Sequence, residues 1–273
     1  MRRGHVSSNS RESGFICVVG DTNESVSSVK VRGLTVMTNL LIVDVETTGL
    51  DCKRDSIIEI GAVLWNVENA CSIATHAELI RSDENPAESI NHIPAKATVE
   101  GVAISDALMR MGEMLLRADY IAAHNAKFDR SYIEAALIPF PYLSEMWNRP
   151  WICTLENVRW PRKSSSRSLL ALALAHDVGV VVAHRALADC ETLARLFERC
   201  VELGHDVKAM IEQATLPRQT YMAEVSYADR ALAKDAGFTW NDGASRGAPK
   251  GWSKRMTEEE AMRIPFPVSV YTR

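Results

Sequence analysis

Asp44 and Glu46 stand out because the residues before them, Leu40–Val43, read as a buried strand. Residues two apart in a strand share a face, so both carboxylates project together from the strand's C-terminal end. Side by side they repel, and one would ordinarily take up a proton; a divalent cation removes that conflict. Carboxylate oxygens are hard ligands that suit magnesium or manganese, with phosphate completing the coordination. Alone, the pair reads as a solvated strand end. Two further stretches change the reading. HNAKFD places Asp129 where a short strand passes into a helix, and HRALAD places His184 five residues before Asp189. In a continuous helix, residues five apart diverge by about 140°. A helix starting near Arg185 or Ala186 instead leaves His184 on a loop that can swing over the acids. Four carboxylates and one movable imidazole are the inventory for two-metal hydrolysis of a phosphodiester.

The elements that must position these groups follow from the hydrophobic pattern. Leu40–Glu46, Ile57–Trp65 and Thr75–Ile80 read as strands separated by turn-rich pieces of hairpin length. A polar stretch, NPAESINHIPAKAT, precedes a helical pattern over Asp106–Arg117. YIAAHN reads as a short strand leading into the helical FDRSYIEAAL, SLLALALAHD as a helix, and ALADCETLARLFERCVEL as a long amphipathic one. Strands first, then helices alternating with strand, predict a layered α/β domain with a mixed sheet. From about Tyr221 the pattern changes. A strand-like YMAEVSY, a helical ADRALAKDAGF closed by Gly237, short strands at FTW and GWSK, a capping box from Thr257 to Glu260 and a last strand, VSVYT, make a small α+β domain. The expected organisation is a flexible leader over 1–36, a catalytic domain over 37–205, a linker over 206–220 and an accessory domain over 221–273. Met37, directly before the first strand, is a candidate translation start.

Composition narrows the class. The 273 residues are 47% hydrophobic and 24% charged, as in an ordinary globular protein. A net charge of −4 excludes a global basic field, so any attraction for nucleic acid must be local. No apolar run reaches the roughly 18 residues needed to span a membrane. The six cysteines are scattered without a C-x-x-C pair, which argues against structural zinc or a disulfide framework and for a reducing, cytoplasmic location.

VDVETTGL, HNAKFD and HRALAD together resemble the three motifs of the DEDDh 3′–5′ exonucleases, in their order and at similar separations. IIEIGAV and WICTL are also similar to that family, and the resemblance covers about residues 40–200. It implies a ribonuclease H-like fold, two Mg²⁺ or Mn²⁺ ions and release of 3′-terminal nucleotides as 5′-monophosphates. Carried over position by position, Asp44, Glu46, Asp129 and Asp189 correspond to the metal-binding acids and His184 to the general base. The resemblance to proofreading members implies single-stranded DNA or frayed 3′ ends as substrate and a polymerase as partner. RNA-degrading relatives use the same five residues, so the motifs leave RNA open. A non-catalytic adaptor acting through the small domain is the reading from another class.

Other signals have two readings each. Thr47, Thr48, Gly49 and Leu50 border the terminal nucleotide in the family; otherwise they form a strand-ending turn in which Gly49 supplies a positive φ. His124 and Asn125 either touch substrate or cap the helix, while Phe128 and His176 read as structural. Arg159, Arg162, Lys163 and Arg167 form either a solvated loop or a surface that steers the substrate backbone. Trp240 and Trp252 either make the small core or, with Lys250, Lys254 and Arg255, a stacking and phosphate surface. QTYMAE faintly resembles a sliding-clamp-binding peptide, with Glu224 where a large apolar residue is usual.

Overall fold

Three strands open the fold as an antiparallel meander: β1 (Asn39–Thr47), β2 (Ile57–Asn66) and β3 (Cys71–Leu79). The computed structural model describes residues 37–243 and 249–272, so the expectations for residues 1–36 lie outside it. β3 begins four residues before the expected Thr75, because Cys71 and Ser72 pair with Asn66 and Trp65. Both are exposed, so no apolar alternation marks them. The polar stretch that follows forms two single turns, α1 (Glu88–Asn91) and α2 (Ala95–Thr98), before α3 (Ile104–Leu115). Then come β4 (Tyr120–Ala123), α4 (Ala126–Leu137), α5 (Pro141–Ser144), β5 (Trp151–Cys153), α6 (Leu169–Ala175) and α7 (Ala186–Glu202). The sheet runs β3-β2-β1-β4-β5, with β4 parallel to β1 and β5 parallel to β4. This is the mixed α/β sheet expected.

Helices cover both faces, and the two-residue period of β1 divides its side chains between them. Leu41, Val43 and Val45 enter the core beneath α3 and α4, with Leu108, Met111, Tyr132 and Ile133. Leu40 and Ile42 enter the opposite core with Leu193, Leu196 and Phe197 of α7. By the same alternation Asp44 and Glu46 continue the α7 side of the strand. The sheet therefore delivers the acid pair to the helix that carries Asp189.

Residues 206–220, expected as a linker, contain helix α8 (Val207–Thr215). Asp206 caps it through Ala209 N–H, and Val207, Ile211 and Ala214 are buried in the core shared with α7. The small domain follows as β6 (Gln219–Ala223), α9 (Arg230–Asp235), β7 (Thr239–Asn241), β8 (Gly251–Met256), α10 (Glu258–Met262) and β9 (Val268–Val270), with sheet order β7-β8-β6-β9. The predicted capping box is present: Thr257 accepts from Glu260 N–H while Glu260 accepts from Thr257 N–H. Tyr221, Ala233, Phe238, Met256 and Ala261 form its core. Trp252 only packs partly against that core, and Trp240 is 54% exposed, so the tryptophans do not build it. QTYMAE lies on β6, an inner strand bonded on both sides. Residues 37 onward form one compact unit, and Arg159 and Arg218 both bridge to Glu260 of α10. Among the described residues no helix is long and apolar enough to cross a membrane.

Candidate active site

Three segments bring the four acids together. Asp44 and Glu46 sit at the C-terminal end of β1, Asp129 in the first turn of α4, and Asp189 in the first turn of α7. Asp129 is buried, and its Oδ1 accepts the Val45 N–H at 3.2 Å, which ties α4 to the strand between the other two acids. α7 begins at Ala186, so His184 lies on the loop before it, as the spacing requires for a movable imidazole. Its backbone adopts φ +62°, a conformation uncommon for a residue with a side chain. Its N–H donates to Asp189 Oδ2 at 3.1 Å. Glu46, His184 and Asp189 each bring one ligand atom to within 4.8 Å of the others.

The electrostatics are those of an anionic site. None of the four acids is ion-paired among the described residues. Burial, followed by the charges of Asp129, Asp189 and Glu46, raises the Asp44 carboxyl well above its ordinary range. Burial and the neighbouring Asp189 and Glu59 push Glu46 up to about 7. Burial pushes Asp129 up to about 7 and also raises Asp189. Such a cluster either keeps protons or binds a cation. Asp44, Glu46 and Asp189 remain partly exposed, so an ion from solvent can reach them. An all-oxygen set with one imidazole at its edge fits Mg²⁺ or Mn²⁺.

Two supports were not visible from the motifs. Glu59 on β2 lies directly opposite Glu46 and is almost completely buried. It takes a forked ion pair from Arg185, with Nε at 3.0 and 3.1 Å, and accepts the Ala186 N–H at 2.9 Å. One residue thereby anchors the His184 loop and caps α7. Gly61, opposite Asp44, is the second. A Cβ there would lie 2.7 Å from the Ala186 carbonyl oxygen and closer still to the Ala186 carbonyl carbon and Leu187 nitrogen. The signals were a charge and a glycine inside the apolar run IIEIGAV, both atypical of an inner strand.

The turn after the acids is tightly bonded. Thr47 Oγ1 donates to the Gly49 carbonyl at 2.6 Å, as does the Tyr132 hydroxyl at 2.8 Å. Thr48 Oγ1 accepts from Ser56 N–H, and Asn91 Nδ2 donates to the Thr47 carbonyl. Gly49 is not required for a positive φ, which it lacks. A Cβ there would instead meet the Asp55 carboxylate, 2.7 Å away at Oδ1, so a larger residue displaces that side chain. Leu50 projects into solvent at 88% exposure. Asn125 takes up φ +77° before α4 without a side-chain cap. His124 engages both ring nitrogens within the protein: Nδ1 pairs with Thr154 Oγ1 and Nε2–H donates to the Arg167 carbonyl. Phe128 packs against Tyr132 at the edge of the core, and His176 is fully buried, bonded to Leu172 and Arg162.

Comparison with known proteins agrees with this geometry. The family model described as exonuclease (RNase_T) matches residues 41–197, and a domain of unknown function, DUF8626, matches residues 219–271. PolC-type DNA polymerase III of Thermotoga petrophila is 29% identical over 206 residues, 71% of this chain and 14% of the relative. That of Thermotoga maritima is 31% identical over 169 residues, 60% of this chain and 12% of the relative. The chain thus spans a small part of the curated relatives it matches. Among solved structures, the zinc-bound form of Escherichia coli exonuclease I with single-stranded DNA superposes with a TM-score of 0.56 at 12% identity, over 84% of this chain and 68% of that one. The same enzyme with a dT13 oligonucleotide gives 0.53 at 14%, with the same coverage. These last likenesses concern the fold. With the family model covering more than half of its length, the chain belongs to the exonuclease family.

Proposed function

We propose that this protein hydrolyses the 3′-terminal phosphodiester bond of single-stranded or frayed DNA and releases 5′-mononucleotides. The observation that carries the reading is the convergence of four carboxylates without an ion-pair partner, from three distant segments, beneath one loop histidine. Divalent cations held by Asp44, Glu46, Asp129 and Asp189 would supply Lewis acidity toward water and the departing oxygen. The chain's own groups have separate tasks. His184 accepts the proton of the attacking water, a transfer for which imidazole is suited near neutrality. Asp189 holds the His184 backbone by its N–H, and Arg185 with Glu59 anchors the same loop. The Thr47–Leu50 turn, braced by Tyr132 and Asn91, borders the terminal nucleotide, and exposed Leu50 is its apolar contact.

DNA is favoured over RNA because the curated relatives are DNA polymerases and the oligonucleotide in the E. coli neighbour is dT13. A role beside a polymerase, in proofreading or repair, is part of the same proposal. Matched DNA and RNA oligonucleotides labelled at the 5′ end, incubated with Mg²⁺ or Mn²⁺, test it. A ladder shortening from the 3′ end on DNA is the expected result. A ladder on RNA alone transfers the site to RNA, where recognition of the 2′-hydroxyl decides. No cleavage of either overturns the reading.

A further inference from the structure

Where the small domain meets the catalytic one, a cavity of about 580 Å³ opens. Its walls come from the first turn of α4, the loop between β5 and α6, the segment before β6, and strands β7 and β8. Six cationic side chains line it: Lys127, Arg159, Arg167, Arg218, Lys254 and Arg255, against one lining carboxylate, Glu156. Glu260 forms ion pairs with both Arg159 and Arg218 and offsets one of their two charges. Lys127, Arg167, Lys254 and Arg255 have no ion-pair partner among the described residues. In a chain of net charge −4, such a concentration of positive charge in one concavity is a local exception.

Two parts of its wall belong to, or are tied to, elements that carry the site. Lys127 shares the first turn of α4 with Asp129, about 200° around the helix from it, so it faces the cavity while Asp129 faces the core. The Arg167 backbone is fixed by His124, which follows β4 directly. Neither Trp240 nor Trp252 lines the cavity, so its chemistry is that of charge and hydrogen bonding rather than base stacking.

We propose that this cleft is a composite binding site for the phosphodiester backbone of the strand being degraded, on the 5′ side of its terminal nucleotide. The small domain supplies one wall, through Lys254 and Arg255, and the catalytic domain the other, through Lys127 and Arg167. The proposal rests on the exonuclease reading of the acidic site, and it assigns the small domain the task of holding substrate. Burial, and then the like charge of Arg159, hold the Lys254 ammonium below its ordinary range, and its Nζ donates to the Ala236 carbonyl at 2.8 Å on the cavity wall. The ion pairs of Glu260 with Arg159 and Arg218 hold the two walls at a set separation. The Arg159 and Lys254 sides of the two alternatives posed by the sequence, steering loop and phosphate surface, become one site.

The test measures binding apart from chemistry. The full-length protein is titrated, in EDTA, with a 5′-labelled single-stranded DNA of about fifteen nucleotides at several salt concentrations. Turnover of a dinucleotide, too short to reach the cleft, is measured separately with Mn²⁺. Single-strand binding loses about 0.7 units of salt slope per phosphate contact removed. The double variant Lys254→Gln/Arg255→Gln is expected to lower the slope by about 1.4 and weaken binding about 25-fold at 0.1 M salt. Lys127→Gln/Arg167→Gln, on the opposite wall, is expected to do the same, so misfolding of one variant leaves the other informative. Dinucleotide turnover is expected to be unchanged in both. Unchanged oligonucleotide affinity and salt slope in both variants overturn the cleft while leaving the exonuclease intact. Polyglutamate titrated in the same way is the competing probe: variants that lose affinity for it and not for the oligonucleotide reassign the cleft to an acidic peptide and likewise overturn it. A wild-type protein that cleaves nothing counts against the exonuclease reading alone, since binding is scored independently.

Discussion

Replacing Gly61 by alanine adds one carbon, and the structure locates its consequence. The new Cβ would lie 2.7 Å from the Ala186 oxygen and nearer to the Ala186 carbon and Leu187 nitrogen, where ordinary contact begins at 3.4 Å. All three are backbone atoms, so no rotamer change relieves the clash. Helix α7 must withdraw from β2 by about 1 Å, and the turn that withdraws carries Asp189 and follows His184 directly. Overpacking of this size costs about 1–3 kcal/mol of stability. A misplacement of about 1 Å at reacting groups costs roughly 100-fold in rate. Gly101→Ala is the matched control. Its Cβ meets the Ile80 backbone as closely, with the carbonyl oxygen at 2.8 Å, but does not touch α7. Thermal unfolding and single-turnover release of the 3′ nucleotide, measured on both variants, separate the effects. Both should lose similar stability, and only Gly61→Ala should lose the rate. A Gly61→Ala enzyme within about threefold of wild type would refute the claim that α7 is positioned against β2 to place the site.

The remaining expectations concern the same groups. His184→Ala should lose most turnover yet retain Mn²⁺ binding by calorimetry; loss of both would make the histidine a ligand rather than a base. Arg185→Ala removes the partner of buried Glu59 but leaves it the Ala186 N–H. A fully buried broken pair costs about 3–5 kcal/mol, and half-exposed Arg185 places this one nearer 1–3 kcal/mol, with turnover falling more than substrate affinity. In metal-free protein the folded carboxylates hold protons that the unfolded chain has released above its ordinary values near 4. The contribution of Glu46 and Asp129 to stability should therefore be fully present below about pH 4 and lost as pH rises through about 7, where both ionise. Divalent metal should raise the melting temperature more at pH 8 than at pH 5.5, and Asp44→Asn should flatten both trends.

The acids were legible because each obeys a local rule. Asp44 and Glu46 follow the two-residue period of a strand, and His184 with Asp189 brackets a helix start. Their supports were not, because they depend on register between distant segments. Nothing local pairs Glu59 with Arg185, 126 residues away, and only the α7–β2 packing makes Gly61 necessary. Helix α8 carries the i, i+4, i+7 spacing of an amphipathic helix in Val207, Ile211 and Ala214, with Asp206 as its cap, but its nine residues are too few to stand out from a linker. The basic cleft was visible only in pieces, since its cations come from sites between Lys127 and Arg255 that the fold alone assembles.

The central claim is that Asp44, Glu46, Asp129 and Asp189 hold the divalent cations by which a 3′-terminal nucleotide is released. The most direct measurement is the release rate from a 5′-labelled single-stranded DNA as a function of Mn²⁺ concentration, for wild type and for Asp44→Asn. The account predicts saturable activation in wild type, abolished by chelator, and a rate at least about 1,000-fold lower for Asp44→Asn, as for loss of a principal electrostatic stabiliser. Release that is independent of metal, or an Asp44→Asn protein with wild-type rates, would contradict it.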